Sequence, residues 1–203
     1  PPADDEPGRL LSYLGTITVN QPNGPLPAGA IDASAKLPCV KGREVLPGSR
    51  DELRELGPEK FARKLRETEA LAVTDTSFRD AHQSLFATRF RSNPLEDAAR
   101  VTSVLTPILW SAEAWGGATY DVALRFLNED PWCRLDRLRE AMPNINIQML
   151  LRGRNTVGYT PYPDSVCQAF VKEAERSGVS VFRIFDALND VSQMRPAIDA
   201  VLD

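Results

Sequence analysis

The stretch Leu71-Ala-Val-Thr-Asp-Thr-Ser-Phe-Arg-Asp-Ala-His-Gln83 decides the fold of this 203-residue chain. It begins with a short apolar run, Leu71 to Thr74, which predicts a buried β-strand. A dense cluster of polar and charged residues follows at once, from Asp75 to Gln83. Loops of this kind carry binding and catalytic residues on a rigid scaffold. The stretch is therefore predicted to form the first strand of the main domain and one corner of a site.

The pattern of one strand and one or two amphipathic helices recurs towards the carboxyl end. Further strands are predicted at Trp110–Ala114, Ile145–Leu151 and Val179–Phe185. Capping signals and apolar spacings of three and four predict helices that begin at Asn93, Tyr120, Arg134, Pro163 and Met194. Alternating strands and helices favour a parallel sheet with helical crossovers. The predicted fold class is α/β, a partial TIM (β/α)8 barrel of about four strand-helix units.

Two details of these helices make the prediction testable. The helix from Asn93 is expected to bury an apolar stripe made of Leu95, Ala98, Val101, Leu105 and Ile108. Gly178 is expected to end the helix that begins near Pro163, because glycine adopts the left-handed conformation that commonly follows a helix.

The residues before the barrel have a different character. Residues 1–68 are predicted to form an irregular helical linker region, and residues 69–203 the first half of a barrel. A helix should end at Gly15, and the β-branched run from Thr16 to Val19 should be extended. From Asn20 to Pro25 successive turn-forming residues interrupt the chain, and mostly linker is expected after them.

Two short surface helices are predicted just before the first strand. Ser49 and Glu52 form a capping-box pattern for one of them. Gly57 is a plausible end for that helix, and Pro58 suits the first turn of the next. Their alternating charges are typical of an exposed surface, so no chemistry is assigned to them.

Composition excludes several classes of function. With 24 basic and 28 acidic residues, the chain lacks the basic field that a nucleic-acid partner requires. No run approaches the roughly 20 apolar residues of a membrane-spanning helix. Cys39, Cys133 and Cys167 are odd in number and widely spaced, which indicates reduced thiols and a cytoplasmic location. Because the chain lacks an initiator Met and ends inside a predicted helix, we expect a fragment whose half barrel is poorly stable in isolation.

The polar and glycine-rich clusters that follow the four strands should meet at one rim, where the carboxyl ends of barrel strands carry active sites. Six side chains are expected around this mouth: Arg79, Asp80, Gln83, Asp121, Arg152 and Tyr159. Two arginines and a glutamine suit a small oxoacid, because guanidinium binds a carboxylate with two hydrogen bonds and an amide can donate to a keto oxygen. An aspartate on this rim could ligate a divalent cation.

Simpler interpretations compete with these roles. The charged pair after the first strand could be a solvated loop, and Trp115-Gly-Gly117 could be no more than a tight turn. Asp121 could be a carboxylate in the first turn of a helix, and Tyr159 a half-buried aromatic residue. His82 is expected to form structural hydrogen bonds and not to bind metal, because neighbouring residues rarely point at one ion.

Four motifs in order resemble the carboxyltransferase domain of the pyruvate carboxylase family. They are Asp75-Thr-Ser-Phe-Arg-Asp-Ala-His-Gln-Ser84, Trp115-Gly-Gly-Ala-Thr119, Gln148-Met-Leu-Leu-Arg-Gly153 and Phe182-Arg-Ile-Phe-Asp-Ala-Leu-Asn189. The resemblance covers the chain from Leu71 to Asp203. It implies biotin-dependent carboxylation of pyruvate to oxaloacetate, in which carboxybiotin passes its carboxyl group to pyruvate enolate and ATP is used on a separate domain.

The resemblance also implies roles for single residues. Pyruvate would be bound by Arg79, Gln83 and Arg152. The divalent metal (Mn, Mg or Zn) would be bound by Asp80, and the incoming biotin would be associated with Asp121 and Tyr159. In the family, a carbamylated lysine, two histidine ligands and a proton-relay threonine fall after the position of Asp203. The chain alone is therefore expected to be inactive.

Two alternatives stay open. Barrel subunits of biotin-dependent oxaloacetate decarboxylases and transcarboxylases share these motifs, but they begin near the first barrel strand. Here the residues before Leu71 look like the connecting region of a pyruvate carboxylase. That region resembles part of an allosteric and tetramer-organising domain, so an assembly or regulatory role is the non-enzymatic alternative. Expected partners are pyruvate, the carboxybiotin carrier domain and, in the full-length enzyme, three further copies in a homotetramer.

Overall fold

A computed structural model describes residues 6–19 and 36–203, which fall into two compact units, residues 1–37 and residues 38–203. The described part of the first unit contains helix α1, Glu6–Val19. Both the predicted end at Gly15 and the extended run after it are therefore wrong. A glycine within a helix costs about 1 kcal/mol relative to alanine, and this did not end the helix. The turn-rich segment predicted from Asn20 lies outside the described residues.

The second unit begins with two short helices, α2 (Ser49–Leu56) and α3 (Pro58–Glu67). Gly57 joins them with φ of 75°, a conformation that favours glycine, and its N–H donates to the Leu53 carbonyl at 2.9 Å. The predicted end of one helix and start of the next are confirmed. The domain boundary predicted between residues 68 and 69 stays a prediction, although residues 38–68 belong to the same compact unit as the strands.

The capping box at the start of α2 was predicted one residue too late. Gly48 is the N-cap, and its N–H donates to the Asp51 carboxylate at 2.9 Å. Ser49 is buried, and its Oγ accepts a hydrogen bond from the Asn146 N–H at 3.1 Å. The serine hydroxyl therefore serves a distant backbone group, which local capping patterns cannot reveal.

Four parallel strands form one sheet in the order β1-β2-β3-β4. Their bounds are Thr74–Asp75, Ser111–Trp115, Ile147–Leu151 and Val179–Ile184. The register pairs Thr74 with Ser111, Ala112 with Ile147, and Ile147 with Val179. This confirms the predicted parallel sheet. The first strand is shorter than predicted, and Leu71 is 90% exposed.

Helices connect the strands, as the sequence predicts. A π-helical turn at Ser77–Ala81 leads into α4 at His82–Phe86, and α5 follows at Ser92–Leu105. The other helical elements are α6 (Gly117–Val122) with its π-helical extension (Ala123–Leu127), α7 (Pro131–Ala141), a 3-10 turn (Gly153–Asn155), α8 (Asp164–Arg176) and α9 (Val191–Leu202). Gly178 follows α8 with φ of 109°, as predicted. No helix in the described ranges is long and apolar enough to cross a membrane.

The buried face of α5 differs from the predicted stripe. The helix ends at Leu105, and Ile108 beyond it is 93% exposed. Its buried side chains include Leu95, Ala99 and Ser103, which recur every four residues. Ser103 is buried because its hydroxyl donates to Asn144 Oδ1 at 2.7 Å. A polar residue therefore lies on the inner face, where a pattern based on hydrophobicity would not place it.

The sheet has two chemically different faces. Ala112 and Ala114 of β2, together with Ile147 and Met149 of β3, are buried in the hydrophobic core. The intervening residues are polar and bond to one another across the strands. Thr74 Oγ1 lies 2.8 Å from Ser111 Oγ, and Ser111 Oγ donates to Gln148 Oε1 at 3.2 Å. Since strand side chains alternate between faces, the apolar face packs on helices and the polar face lies on the opposite side of the sheet.

Candidate functional site

Glu113 lies at the centre of the polar face and is fully buried. Its carboxylate accepts hydrogen bonds from Arg79 Nε at 2.6 Å, Arg183 Nε at 2.7 Å and Gln148 Nε2 at 2.7 Å. These donors come from the loop after β1, from β4 and from β3. One carboxylate on β2 therefore ties together all four strands of the sheet.

The charge of this cluster follows from its hydrogen bonds. Burial alone would raise the pKa of Glu113, but hydrogen bonds from Arg183, Gln148 and Arg79 outweigh burial and lower it. The hydrogen bond to Glu113 in turn raises the pKa of Arg183. Glu113 is therefore a carboxylate at neutral pH, paired with two guanidiniums, and Asp80 adds a second carboxylate 3.3 Å from Arg79 Nη1.

Arg79 is buried, with 6% of its surface exposed, so the solvated-loop interpretation is wrong for this residue. Its Nη2 lies 2.5 Å from Glu113 Oε1, and its Nη1 lies 3.3 Å from Asp80 Oδ1. The Asp80 side chain is exposed. Gln83 lies exposed on α4, and its side chain forms no hydrogen bond to the part of the chain that the structure describes. The first motif thus holds Arg79 in place, whereas the side chains of Asp80 and Gln83 are exposed.

Arg152 follows β3, and its guanidinium turns back over its own loop. Nη1 donates to the Gly158 carbonyl at 3.0 Å, and Cζ lies 4.7 Å from the centre of the Tyr159 ring. This distance is typical of a cation–π contact. Tyr159 is 81% exposed, so its interpretation as a half-buried aromatic residue is wrong. The arginine and tyrosine form one unit at the rim.

Two adjacent glycines after β2 pack against the two arginines. A Cβ on Gly116 would lie 3.4 Å from Arg79 Cδ, and a Cβ on Gly117 would lie 2.8 Å from Arg152 Cζ. The first distance is an ordinary contact, and the second is a clash. The Trp-Gly-Gly loop is therefore more than a tight turn, because it brings Arg79 and Arg152 to either side of one backbone segment.

Trp115 itself points away from this rim, into the core. It is fully buried and packs against three aromatic rings, those of Tyr120, Trp132 and Phe170. These ring contacts hold the residue that precedes Gly116 and Gly117 in place from the side of the hydrophobic core. Thr119 Oγ1 fixes the glycine loop from the other side, accepting from the Gly116 N–H at 2.7 Å and donating to the Gly116 carbonyl at 2.8 Å.

Asp121 lies beyond the first turn of α6, so its interpretation as a first-turn carboxylate is wrong. It accepts two hydrogen bonds from Arg125, at 2.7 and 2.5 Å. This pairing with Asp121 raises the pKa of Arg125, and the nearby Tyr159 contributes in the same direction. Among the described residues, Asp121 is therefore held by Arg125.

A cavity of about 290 Å³ lies between the carboxyl ends of β3 and β4. It is lined by Arg152, Asn155, Gly158, Tyr159, Phe185, Asp186 and Ala187. A larger cavity of about 620 Å³ lies at the opposite end of the strands, beside α2 and α3. Of these two cavities, the smaller one borders Arg152 and Tyr159 of the rim, whereas Arg79 does not line it. We therefore place the candidate site at the smaller cavity, although the cavity beside α2 and α3 is larger.

The described residues contain no group of three His, Cys, Asp or Glu side chains that could hold a metal ion. Asp80 offers one hard oxygen donor, and that carboxylate already lies beside Arg79. His82 is buried, and its Nε2 accepts from the Phe90 N–H at 2.9 Å, which confirms its structural role. One carboxylate does not build a metal site by itself.

Sequence reasoning missed Glu113 and assigned no role to Gln148 or Arg183. A signal was present, because Glu113 interrupts an otherwise small and apolar strand, Ser-Ala-Glu-Ala-Trp. A charged residue at the centre of a buried strand needs a partner of opposite charge. The partners could not be named, since they lie 34, 35 and 70 residues away.

Comparisons with known proteins identify the family of the chain. No family model matches the chain. Pyruvate carboxylase of Bacillus subtilis is 48% identical over 205 residues, covering all of this chain and 18% of that protein. Human mitochondrial pyruvate carboxylase is 48% identical over 202 residues, covering 98% of this chain and 17% of that protein. The chain therefore spans less than a fifth of the length of these relatives.

Solved structures give the same result in three dimensions. The carboxyl transferase domain of Rhizobium etli pyruvate carboxylase with oxamate and biotin has a TM-score of 0.81 and 44% identity, covering 98% of this chain and 34% of that one. A variant of that domain with pyruvate has a TM-score of 0.82. This domain is a TIM barrel, so the predicted partial barrel is confirmed. The chain belongs to the pyruvate carboxylase family, in which it corresponds to a segment containing part of the carboxyltransferase domain.

Proposed function

We propose that this chain supplies part of the site at which pyruvate is carboxylated to oxaloacetate with a carboxyl group carried by biotin. The observation that carries the proposal is the placement of Arg79 and Arg152 on either side of Gly116 and Gly117. Two guanidiniums at the carboxyl ends of barrel strands suit a small anion with a second oxygen function. Pyruvate, a carboxylate with an adjacent keto group, has this chemistry.

Each side chain has a distinct part in the proposal. Arg79 and Arg152 bind the substrate carboxylate and stabilise the negative charge that develops on the enolate oxygen. Gln83, exposed on α4, donates to the keto oxygen. Because Arg79 is already hydrogen-bonded to Glu113, it keeps its orientation when the substrate arrives. Preorganised donors of this kind contribute more to catalysis than flexible ones.

The cavity beside Arg152 is proposed to receive the carrier biotin. Tyr159 lines this cavity, and Asp121 is assigned to the incoming biotin by the family resemblance. The Rhizobium etli neighbour holds biotin together with oxamate, a small carboxylate, in the same kind of domain. When bound, biotin supplies the carboxyl group. The residues of this chain contribute by orienting the two partners and excluding water between them.

Further features of the proposal rest on the family resemblance. Asp80 is proposed as one ligand of a divalent metal, and the described residues contain no group of three His, Cys, Asp or Glu side chains that would complete its site. ATP use on another domain, a mobile carrier domain, a homotetramer and a cytoplasmic location are proposed in the same way. The three cysteines are free thiols, which suits a reducing compartment, although the human relative is mitochondrial.

The alternatives identified from the sequence are less well supported. The identity to pyruvate carboxylases extends across the whole chain, including the residues before β1 that decarboxylase and transcarboxylase subunits lack. An assembly or regulatory role for residues 1–68 is compatible with the enzymatic proposal. Size exclusion of a pyruvate carboxylase with and without that segment would reveal such a role as a change in oligomer size.

The proposal is tested by Arg152→Lys in a full-length pyruvate carboxylase that contains this segment. Lysine keeps the charge but loses the planar fork and the contact with Tyr159. Oxaloacetate formation should fall about 100-fold, the effect of losing about 3 kcal/mol of charge-assisted binding, while carboxylation of biotin is retained.

Arg176→Lys is a matched control, because Arg176 is exposed on α8 and pairs only with its neighbour Glu173 among the described residues. This variant should keep both half-reactions. Equal losses of oxaloacetate formation and biotin carboxylation in Arg152→Lys would reject the assignment of Arg152 to the pyruvate site.

A further inference from the structure

Arg183 belongs to the fourth sequence motif, Phe182–Asn189, yet neither sequence nor proposed function gives it a role. It lies on β4 with about half of its side chain exposed. Its Nε donates to Glu113 Oε2 at 2.7 Å, and its Nη2 donates to Glu113 Oε1 at 3.0 Å. Two parallel hydrogen bonds of this kind fix both the distance and the plane of a carboxylate.

The carboxylate that Arg183 fixes is the one that holds Arg79. Arg79 contacts only Oε1 of Glu113, through Nε at 2.6 Å and Nη2 at 2.5 Å. The other oxygen, Oε2, is occupied by Gln148 and Arg183. Arg183 is thus the only described side chain that bonds both oxygens, and it sets the direction in which Oε1 faces Arg79.

Burial makes this arrangement sensitive to the loss of one cation. Glu113 is fully buried, and a buried carboxylate with too few partners takes up a proton or moves. Without Arg183, a single guanidinium and one amide would remain to hold it. Rotation or protonation of Glu113 would then free the Arg79 guanidinium, whose remaining nitrogen Nη1 faces the exposed Asp80.

We propose that Arg183 is a positioning residue, which acts through Glu113 to hold the Arg79 guanidinium in the orientation that binds the substrate carboxylate. The inference rests on the proposed function, in which Arg79 binds pyruvate. It adds a chain of contacts across β4, β2 and the loop after β1. Arg183 does not itself bind the substrate in this proposal.

The test uses Arg183→Met and Arg183→Lys in a full-length pyruvate carboxylase that contains this segment. The measurements are the KM for pyruvate, the inhibition constant of oxamate as an unreactive carboxylate, and the rate of biotin carboxylation. For Arg183→Met we expect both constants to rise about 10- to 100-fold, a loss of about 1.4 to 2.7 kcal/mol, with biotin carboxylation unchanged. Arg183→Lys should give a smaller rise, because an ammonium can donate to only part of the fork.

Combination with Arg79→Lys separates an indirect role from a direct one. If Arg183 acts only through Arg79, the double variant Arg79→Lys/Arg183→Met should bind oxamate no more weakly than Arg79→Lys alone. Additive losses, or an unchanged oxamate constant in both Arg183 variants, would overturn the proposal. If Arg183→Met fails to fold, as the loss of protection from amide hydrogen exchange in peptides of β2 to β4 would indicate, the Arg183→Lys result is used in its place.

A matched control is Arg137→Met. Arg137 also pairs with a glutamate through Nε and Nη2, although both nitrogens meet the same oxygen of Glu96, and this pair joins α7 to α5. Oxamate binding should be unchanged in this variant. The proposed function itself fails if Arg79→Lys leaves pyruvate and oxamate constants unchanged. If Arg79→Lys impairs both but the Arg183 variants do not, only the positioning role is rejected.

Discussion

The two ends of the strands use buried polar side chains in opposite ways. At the carboxyl end, the buried Glu113 carboxylate pairs with the guanidiniums of Arg79 and Arg183 and orients both. At the amino end, Asn144 and Arg139 bond to backbone carbonyls. Asn144 Nδ2 donates to Leu46 at 2.8 Å and Ser103 at 3.0 Å, and Arg139 Nη2 donates to Ile145 at 2.8 Å.

Arg139 illustrates the difference most clearly. Burial, with help from Arg50 and Arg54, lowers its pKa to about 9, so it remains a cation at neutral pH. Within the described ranges it forms no ion pair with a carboxylate, and its donors are directed at the carbonyls of Gly178 and Ile145. A buried arginine is therefore not in itself a sign of a binding site. The hydrogen-bond partner of a buried arginine shows whether the arginine stabilises a loop or is oriented towards a ligand.

Of the variants that distinguish the carboxyl end of the strands from the amino end, Gly117→Ala is expected to have the largest effect on activity. The new Cβ would lie 2.8 Å from Arg152 Cζ and 2.9 Å from the Val157 carbonyl, so the guanidinium must move. Oxaloacetate formation should fall about 100-fold, because an error of 1 Å in a positioned group can cost that much. Steady-state kinetics with pyruvate in a full-length enzyme would measure the loss.

Gly116→Ala is the control for that variant. Its Cβ would meet Arg79 Cδ at 3.4 Å, an ordinary contact, and its backbone is extended, with φ of 171°. Only a small loss of activity is expected. Equal losses in the two variants would show that the loop needs both glycines for its own conformation, and the contact with Arg152 would not be the cause.

A smaller effect, of a different kind, is expected from Asn144→Ala at the amino end. The change leaves the carbonyls of Leu46 and Ser103 and the Ser103 hydroxyl without their buried partner, at a cost of about 2 kcal/mol. Amide hydrogen exchange should speed up about 30-fold in peptides near residues 46–49 and 103–110 of the intact enzyme. The KM for pyruvate should not change.

The contrast between the two ends of the strands would be contradicted if Asn144→Ala raised the KM for pyruvate without faster amide hydrogen exchange. Such a result would mean that the amino end communicates with the site. The Arg152→Lys variant provides the reverse control, because it should change pyruvate kinetics and leave exchange at the amino end unaltered.

The smallest effect is expected from the substitution His82→Gln. His82 lies near the rim, but its role is structural. Burial and the nearby Arg134 lower the pKa of His82. The unfolded chain therefore binds this proton first, so the contribution of neutral His82 is complete above about pH 6.5 and is lost as the pH falls through the folded pKa. Glutamine keeps an acceptor for the Phe90 N–H but does not titrate.

Hydrogen exchange around Phe90 should accordingly be similar in both proteins at pH 7.5 after correction for the intrinsic rate. At pH 5.5, wild type should lose more protection than the variant, by less than about tenfold. A difference that is independent of pH would contradict the role of His82 protonation. A change in pyruvate kinetics at pH 7.5 would instead place His82 in the site.

The sequence by itself determined the order of strands and helices, the parallel sheet and the ends of several helices. These features depend on residues within about four positions of one another, as at Gly57 and Gly178, where the chain needs a conformation that glycine favours. The four motifs after the strands also identified the rim, because parallel strands bring their carboxyl ends together. Arg79 and Arg152 were found in this way.

Only the tertiary structure decided which polar groups are paired. Glu113 meets Arg79 and Arg183 across 34 and 70 residues, and Ser49 meets Asn146 across 97. Such partners depend on strand register and on the packing of distant helices, and a shift of one residue would turn a side chain to the other face. Local patterns therefore located the charges of this site, whereas the three-dimensional pairing decided which of them are held in place and which are free to bind.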